Sequence, residues 1–499
     1  MKNHKPLSLP VLLAAVLFTL VSCDFLSDFN QVSKDLPSLE SNQFYAQNMV
    51  NGKYYIVTAD RLYTGEKCVI WAERGCGATM ALAREIADEY DRVIRPTTVE
   101  MFSIRNFKIH YKDEEYLIND ALDFASWLVE GDGKLTILLL DIQDGYEDPR
   151  TDSYVAGYFF NGNFLPEGKI EGTVHYSNDR DMIYIGTNPG LDPDLREQTF
   201  ATFAHELQHL INYVTSYIVD RDYLMDTWID EGLSSQAEYF YLKENPADKC
   251  WWFSADPNKT IAVGNNFFVW GDRPDSIMDE YATVYLFFRW MYLQANTALK
   301  QNFFYNIATS NQSDYLAVTE AAARINPAWS NWETLLRTWF AANYAPKNAV
   351  FGYRGDNYLQ NGNGKNFPGI KVSPISGSSI ALYPGEGVYS VINNSFSASS
   401  AGNIRYAGIS SSAIDTFSSY TGNVLLTFNA NDSIRGRRET GILTGVAPRA
   451  SDARSAAETQ TRQPGPYVLD ARDVLGRDRL ADLPEAAGKS PALKAKAVK

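Results

Sequence analysis

The chain has 499 residues, 45% of them apolar, which is material for roughly two or three domains with cores of their own and too much for a disordered chain. Its net charge of -15 excludes nucleic acid as the main partner, because a surface that grips phosphates must be basic. Aromatic residues are frequent, with 30 Tyr, 26 Phe and 10 Trp, so large apolar side chains dominate any core.

Lys2, His4 and Lys5 open the chain, and Leu7 to Val21 is almost wholly apolar but short for a membrane span. Leu20-Val21-Ser22-Cys23 follows and resembles the lipobox of bacterial lipoproteins. That resemblance implies a signal peptide over residues 1–22, a lipid anchor on Cys23, a tether over 23–44 and a place in the bacterial cell envelope, on its periplasmic face or on the cell surface. An ordinary secretory signal is the alternative. No later segment is apolar enough to span a bilayer. With Cys23 lipidated, Cys68, Cys76 and Cys250 remain, an odd number that permits at most one internal disulfide. Cys68 and Cys76 can close a small loop in an oxidising compartment; three free thiols are the other reading. No CxxC pair exists, so a thiolate-bound zinc has no support.

Residues 45–191 read as mixed α and β. "KYYIVTADRLY" and "KCVIWAE" are strand-like, and "GATMALAREIADEYDRVI" has helical periodicity. "KLTILLLDI" is a continuous apolar run that predicts a buried strand, "SYVAGYFF" predicts an edge strand, and "DMIYIGTNPG" predicts a further strand closed by turn residues. "EGDGK", Glu130 to Lys134, has too few alternating oxygen ligands for a calcium loop and reads as a plain turn. Asp192-Pro193 is a helix start, since Asp caps free amides and Pro suits the first helical position. From there to residue 345 the chain is mainly helical, with "DTWIDEGLSSQAEYFYLKE", "SIMDEYATVYLFFRWMYLQA" and "NWETLLRTWFAANYA" as further helices. Gly, Ser and Asn clusters between short apolar runs over 350–432 predict a small all-β module. The stretch 433–499 has nine arginines and one aromatic, Tyr467, and reads as a disordered tail; so abrupt a shift also fits a change of reading frame or a cloning scar.

The chemistry is concentrated in "FAHELQHLINY", Phe203 to Tyr213. Positions i and i+4 share one helix face, so His205 and His209 can present ring nitrogens to one metal ion. Glu206 stands beside them as the general base that takes a proton from the attacking water. A catalytic zinc needs a third protein ligand. The metzincin pattern is excluded, because Asn212 and Thr215 stand where its Gly and His would be. His110 and His175 lie upstream in strands or loops and are poor candidates. Glu231, in "WIDEG" on the next helix, leaves room for the first helix to end and turn back, and can complete a His, His, Glu set; an exposed helix carboxylate is the other reading.

"FAHELQHLINY" with "WIDEGLSSQAEYF" resembles the hyicolysin family of bacterial secreted metallopeptidases, which belongs to the gluzincins. Softer similarity in "KCVIWAE", "KLTILLLDI", "AGYFF", "YATVYLFFRW" and "WFAANYA" extends the resemblance over about residues 45–345. The resemblance implies an α+β fold with a zincin/gluzincin-like catalytic unit: a mixed sheet over 45–191, a helical half over 192–345 and zinc in the cleft between them. It further implies His205, His209 and Glu231 as Zn2+ ligands, Glu206 as catalytic base, and hydrolysis of protein or peptide substrates. Where thermolysin-type gluzincins carry an Asp bonded to the first histidine, this chain has Ser235; its hydroxyl or Glu238 is the candidate for that role. The Gly-x-Met-Glu-Asn motif of gluzincin aminopeptidases is absent, which favours an endopeptidase. No histidine follows His209, so the donor to the tetrahedral oxyanion must be another type; Tyr281 resembles the catalytic tyrosine of aminopeptidase gluzincins, and a plain core tyrosine is the other reading. "SYVAGYFF" is the expected strand for pairing an extended substrate. The competing function is an adhesin-like surface lipoprotein on a zincin scaffold, with the β module as its binding part and little or no proteolysis.

Overall fold

The computed structural model describes residues 39–444 apart from 112–113, 130, 148–153, 166–167, 171–172, 220–223, 257–259, 262–263, 265, 271–276, 362–378, 392–396, 400–401, 411–413 and 417–423. The expected leader, Cys23 and all of the tail beyond 444 lie outside the described residues. The described chain is α+β and divides into two compact units.

The first unit runs to Leu224 and takes back Ala237–Lys243. Its elements are β1 (Gln43–Gln47), β2 (Tyr54–Thr64), β3 (Cys68–Glu73), α1 (Met80–Glu89), α2 (Arg95–Phe102), β4 (Phe107–Tyr111), β5 (Glu114–Ile118), α3 (Ala121–Val129), β6 (Leu135–Leu140), β7 (Gly157–Phe159), β8 (Gly168–Ile170), β9 (Thr173–His175), β10 (Met182–Gly186) and α4 (Arg196–Tyr213). A π-helical turn, Tyr90–Ile94, joins α1 to α2, and another, Val214–Val219, prolongs α4. Six strands form the main sheet in the order β1-β2-β3-β6-β10-β7. β6 is parallel to both β3 and β10, while β7 closes the sheet antiparallel to β10. The apolar run of β6 is explained by its central place: all six of its residues are buried, as a strand covered on both faces requires.

One face of that sheet packs Leu138, Leu140, Met182, Tyr184 and Tyr158 into a core with Phe44 and Val57. Tyr158 stacks on Tyr184 with ring centroids 4.1 Å apart. The Tyr184 hydroxyl sits in a buried polar network with Asn163, Asn178 and the Tyr45 carbonyl, so burying it leaves no lost hydrogen bond. The opposite face carries Ile137, Leu139, Ile183, Ile185, Gly157 and Phe159, by the alternation of side chains along each strand. Helix α4 packs against β7 and β10. Helix α4 lies in the same unit as the sheet, and that unit runs on to Leu224.

Among the described residues the second unit comprises Met225–Gln236 and the chain from Glu244 to residue 444. Its elements are α5 (Thr227–Leu242, shared with the first unit), α6 (Ala247–Ala255), α7 (Ile277–Gln294), α8 (Thr297–Lys300), α9 (Phe303–Ala308), α10 (Tyr315–Ala323), α11 (Trp332–Tyr344), α12 (Asn357–Asn361), β11 (Ser379–Leu382), β12 (Gly387–Val391), β13 (Ser397–Ser399), β14 (Ile404–Ile409), β15 (Ile414–Thr416), β16 (Val424–Asn429) and β17 (Glu439–Thr444). Trp228 lies in an aromatic cluster with Phe267, Phe268, Phe287, Phe288 and Trp332. Such pairs are each worth about 0.5–1.5 kcal/mol beyond their buried area. The strands form two sheets, β11-β17-β13 and β12-β16-β14-β15. β17 falls in the stretch whose composition suggests a tail from 433. It is held in place by Glu439, which accepts hydrogen bonds from the Asn403 amide at 2.7 Å and from the side chains of Asn403 and Asn431.

Among the described residues no helix is long and apolar enough to cross a membrane. Cys68, Cys76 and Cys250 are free thiols, so the Cys68–Cys76 bridge does not form. Burial raises the Cys68 and Cys250 thiols well above their usual range.

Candidate metal centre

Asp192 and Pro193 start the helix as their chemistry suggests: the Asp192 carboxylate accepts from the Asp194 amide at 2.9 Å, and a 3-10 turn, Pro193–Leu195, leads into α4. Thr199 fastens this end by donating to the Gly190 carbonyl at 2.8 Å. Apolar residues Phe203, Leu207, Leu210 and Ile211 bury the helix, and His205, Glu206 and His209 are buried with them. The two imidazoles are neighbours one turn apart, with ring centroids 4.8 Å from each other.

Glu206 is crossed by the edge strand. A methyl group at Gly157 would stand 2.8 Å from the Tyr184 carbonyl oxygen, 3.0 Å from Thr202 Cγ2 and 3.2 Å from Glu206 Cγ. Only glycine therefore lets β7 lie this close to the helix. This contact was not foreseen from the sequence; the one available signal was a glycine inside the strand-like "AGYFF".

Helix α5 carries Glu231, Ser235 and Glu238 at positions i, i+4 and i+7 of one face. Gly232 fixes its seat against α7, since a Cβ there would meet the Phe288 ring at 2.2 Å and Val284 at 3.1 Å. The Gln236 side chain adds a hydrogen bond to the Tyr285 carbonyl at 3.0 Å. Nδ1 of His205 lies 2.6 Å from Oε1 of Glu238. A carboxylate only accepts, so Nδ1 carries the hydrogen and Nε2 is the ring nitrogen with a lone pair to give. Of the two candidates for orienting the first histidine, Glu238 makes the bond; the Ser235 hydroxyl is buried and has no hydrogen-bond partner among the described residues.

His205, His209 and Glu231 come together: one ligand atom from each lies within 4.8 Å of the others, and all three residues are buried. Ligands about 2 Å from a tetrahedral ion stand about 3.3 Å apart, so small side-chain rotations close the set. Two imidazoles and a carboxylate are the donor types of a catalytic zinc site with an open position, and the residues fit a divalent ion of that class. His110 and His175 sit in strands β4 and β9. Tyr281 is fully buried on α7, edge-on to Trp270 with ring centroids 5.1 Å apart, and shares a helix face with Val284, Tyr285 and Phe288.

No family model matches the chain. Neutral metalloprotease ShpI of Staphylococcus hyicus is 26% identical to it over 262 residues, which are 52% of this chain and 52% of that protein. The chain thus spans about half the length of the curated relative it matches. The likeness points toward metallopeptidases in general and toward no particular subtype.

Proposed function

We propose that the protein is a zinc-dependent endopeptidase with a gluzincin-type site. The buried His205, His209 and Glu231 group beside Glu206 carries this reading, and the similarity to a neutral metalloprotease supports it. In this reading His205 and His209 bind through imidazole nitrogens and Glu231 through its carboxylate, while Glu238 holds the His205 ring in the binding tautomer. A zinc ion bound there supplies Lewis acidity, polarising the scissile carbonyl and making water acidic enough to attack near neutral pH. Glu206 takes the proton of the attacking water and passes it to the leaving amine. Tyr281 is the proposed donor to the oxyanion of the tetrahedral species. An extended substrate pairs with the outer edge of β7, which among the described residues is bonded only to β10. The lipobox resemblance adds the proposal that Cys23 anchors the enzyme to a bacterial membrane, with proteins or peptides of the envelope or its surroundings as substrates.

The test compares the full chain with Glu206→Gln for bound metal and for casein cleavage. Glu206 is not a proposed ligand, so both proteins should hold about one zinc per chain. Cleavage by the wild type alone, stopped by a chelator, supports the proposal. Metal in both proteins with cleavage in neither favours the adhesin-like binding protein, and absence of metal from both removes the site altogether.

A further inference from the structure

The face of the sheet turned to α4 is laid out in rows. Ile70, Ile137, Ile183 and Phe159 stand opposite one another across β3, β6, β10 and β7. The next row is Ala72, Leu139, Ile185 and Gly157. The second row ends at Glu206, against which Gly157 abuts. The first row ends at an aromatic cluster formed by Phe164, Tyr213 at the C-terminal end of the same helix and Tyr217 of the π-helical turn that prolongs it. Phe159 lies 5.8 Å from Tyr213 and 6.4 Å from Phe164, Phe164 lies 5.3 Å from Tyr213, and Tyr213 stacks on Tyr217 at 5.3 Å with 17° between the rings. Phe164, Tyr213 and Tyr217 are buried, whereas Phe159 is partly exposed. Tyr158 and Phe160, of the opposite parity, turn to the other core.

We infer that Phe159, backed by Tyr213, is a specificity-determining residue that selects a large apolar or aromatic substrate side chain two residues from the residue at the cut. The inference rests on the peptidase reading above and deepens it. A peptide that pairs with the outer edge of β7 extends both rows by one residue. Its residue opposite Gly157 lies beside Glu206, where the bond is cut. Its residue opposite Phe159 is two positions away, because strand side chains alternate with a period of two in either chain direction. That side chain lands on the exposed part of Phe159. Cross-strand aromatic pairs are favourable there and charged groups are not. The missing Cβ at Gly157 gives no side-chain contact to read, so discrimination is concentrated at Phe159.

Internally quenched peptides, identical except at that position, test this. The wild type should cleave Phe, Tyr or Leu there faster than Gly, Ser or Asp by roughly fivefold in kcat/KM, the scale of one cross-strand aromatic pair. Phe159→Ala should flatten the profile at that position, leave the other positions unchanged and keep its metal content. Phe159→Leu decides the matter if the alanine variant folds poorly, because it keeps the apolar bulk and should lose only the preference for aromatic side chains. A flat wild-type profile, or a preference that survives in both variants, overturns the inference while casein cleavage stands. Failure of the wild type to cleave casein at all overturns the peptidase reading and this inference with it.

Discussion

Nδ1 of His205 is held 2.6 Å from Oε1 of Glu238, a residue 33 positions further along the chain and on another helix. The bond fixes the ring's orientation and its tautomer together, so in the proposed site Glu238 governs how well His205 binds the metal without touching it. On the proposed zinc reading, Glu238→Ala should weaken zinc binding about 10–100-fold, the usual cost of losing such a partner. Glu238→Gln keeps an accepting oxygen and should lose less. Competition against a chromogenic chelator measures both, and equal affinities in all three proteins would deny Glu238 this role.

Gly232 follows Glu231 directly and lets α5 approach α7, with no room for a methyl group beside Phe288. Gly232→Ala should lower stability by about 1–3 kcal/mol, the common cost of overpacking, although alanine is the better helix former by about 1 kcal/mol. The two terms have opposite signs, and the clash wins because its partner is a fully buried aromatic ring. Denaturant unfolding decides it: a variant as stable as the wild type would show that Phe288 yields without cost.

How much of this was legible in the sequence follows from the range of each interaction. His205, Glu206 and His209 share one helix, so their juxtaposition is a matter of helical spacing alone. β6 was readable because a continuous apolar run has few other places to go. The choice between Ser235 and Glu238 was not readable, since both lie on one face of α5 and the crossing of two helices decides which one reaches His205. Gly157 beside Glu206 was hidden for the same reason, as a strand and a helix 49 positions apart meet only after the sheet has formed. β17 was missed because its arginine-rich surroundings suggest disorder, while its place is fixed by Glu439 and by pairing with two distant strands.

Arg289 and Asp356 form a buried ion pair at 2.9 Å, with Asn245 donating to both carboxylate oxygens and the Tyr285 hydroxyl donating to Asn245 at 2.6 Å. Burial alone would raise the Asp356 carboxyl; the Leu359 amide, Asn245 and Arg289 outweigh it and hold it below its usual value. A carboxyl lowered by folding stabilises the native state above its unfolded pKa, and that share is lost as pH falls through the folded value. Asp356→Asn should therefore destabilise the protein by about 3–5 kcal/mol at pH 7, because it strands the Arg289 charge. The gap to the wild type should narrow from about pH 4 downward. Unfolding curves across that range measure it, and a gap that stays constant would assign the effect to packing instead of charge.

Removal of the metal should be felt in stability as well as in cleavage. His205, His209 and Glu231 converge only in the folded chain, so an ion held by them binds the native state and not the unfolded one. At a free metal concentration about a thousandfold above its dissociation constant, that preference contributes about 4 kcal/mol. Dialysis against a chelator should lower the midpoint of thermal unfolding by several degrees, and should do so in Glu206→Gln as well, since that variant keeps all three donors. Restoration should follow donor chemistry: Zn2+ and Co2+ suit two imidazoles and a carboxylate, whereas Mg2+ and Ca2+ want an all-oxygen shell and should restore nothing. A midpoint that is indifferent to the chelator, or one that Ca2+ restores as well as Zn2+, would mean that the buried group does not hold a metal of this class.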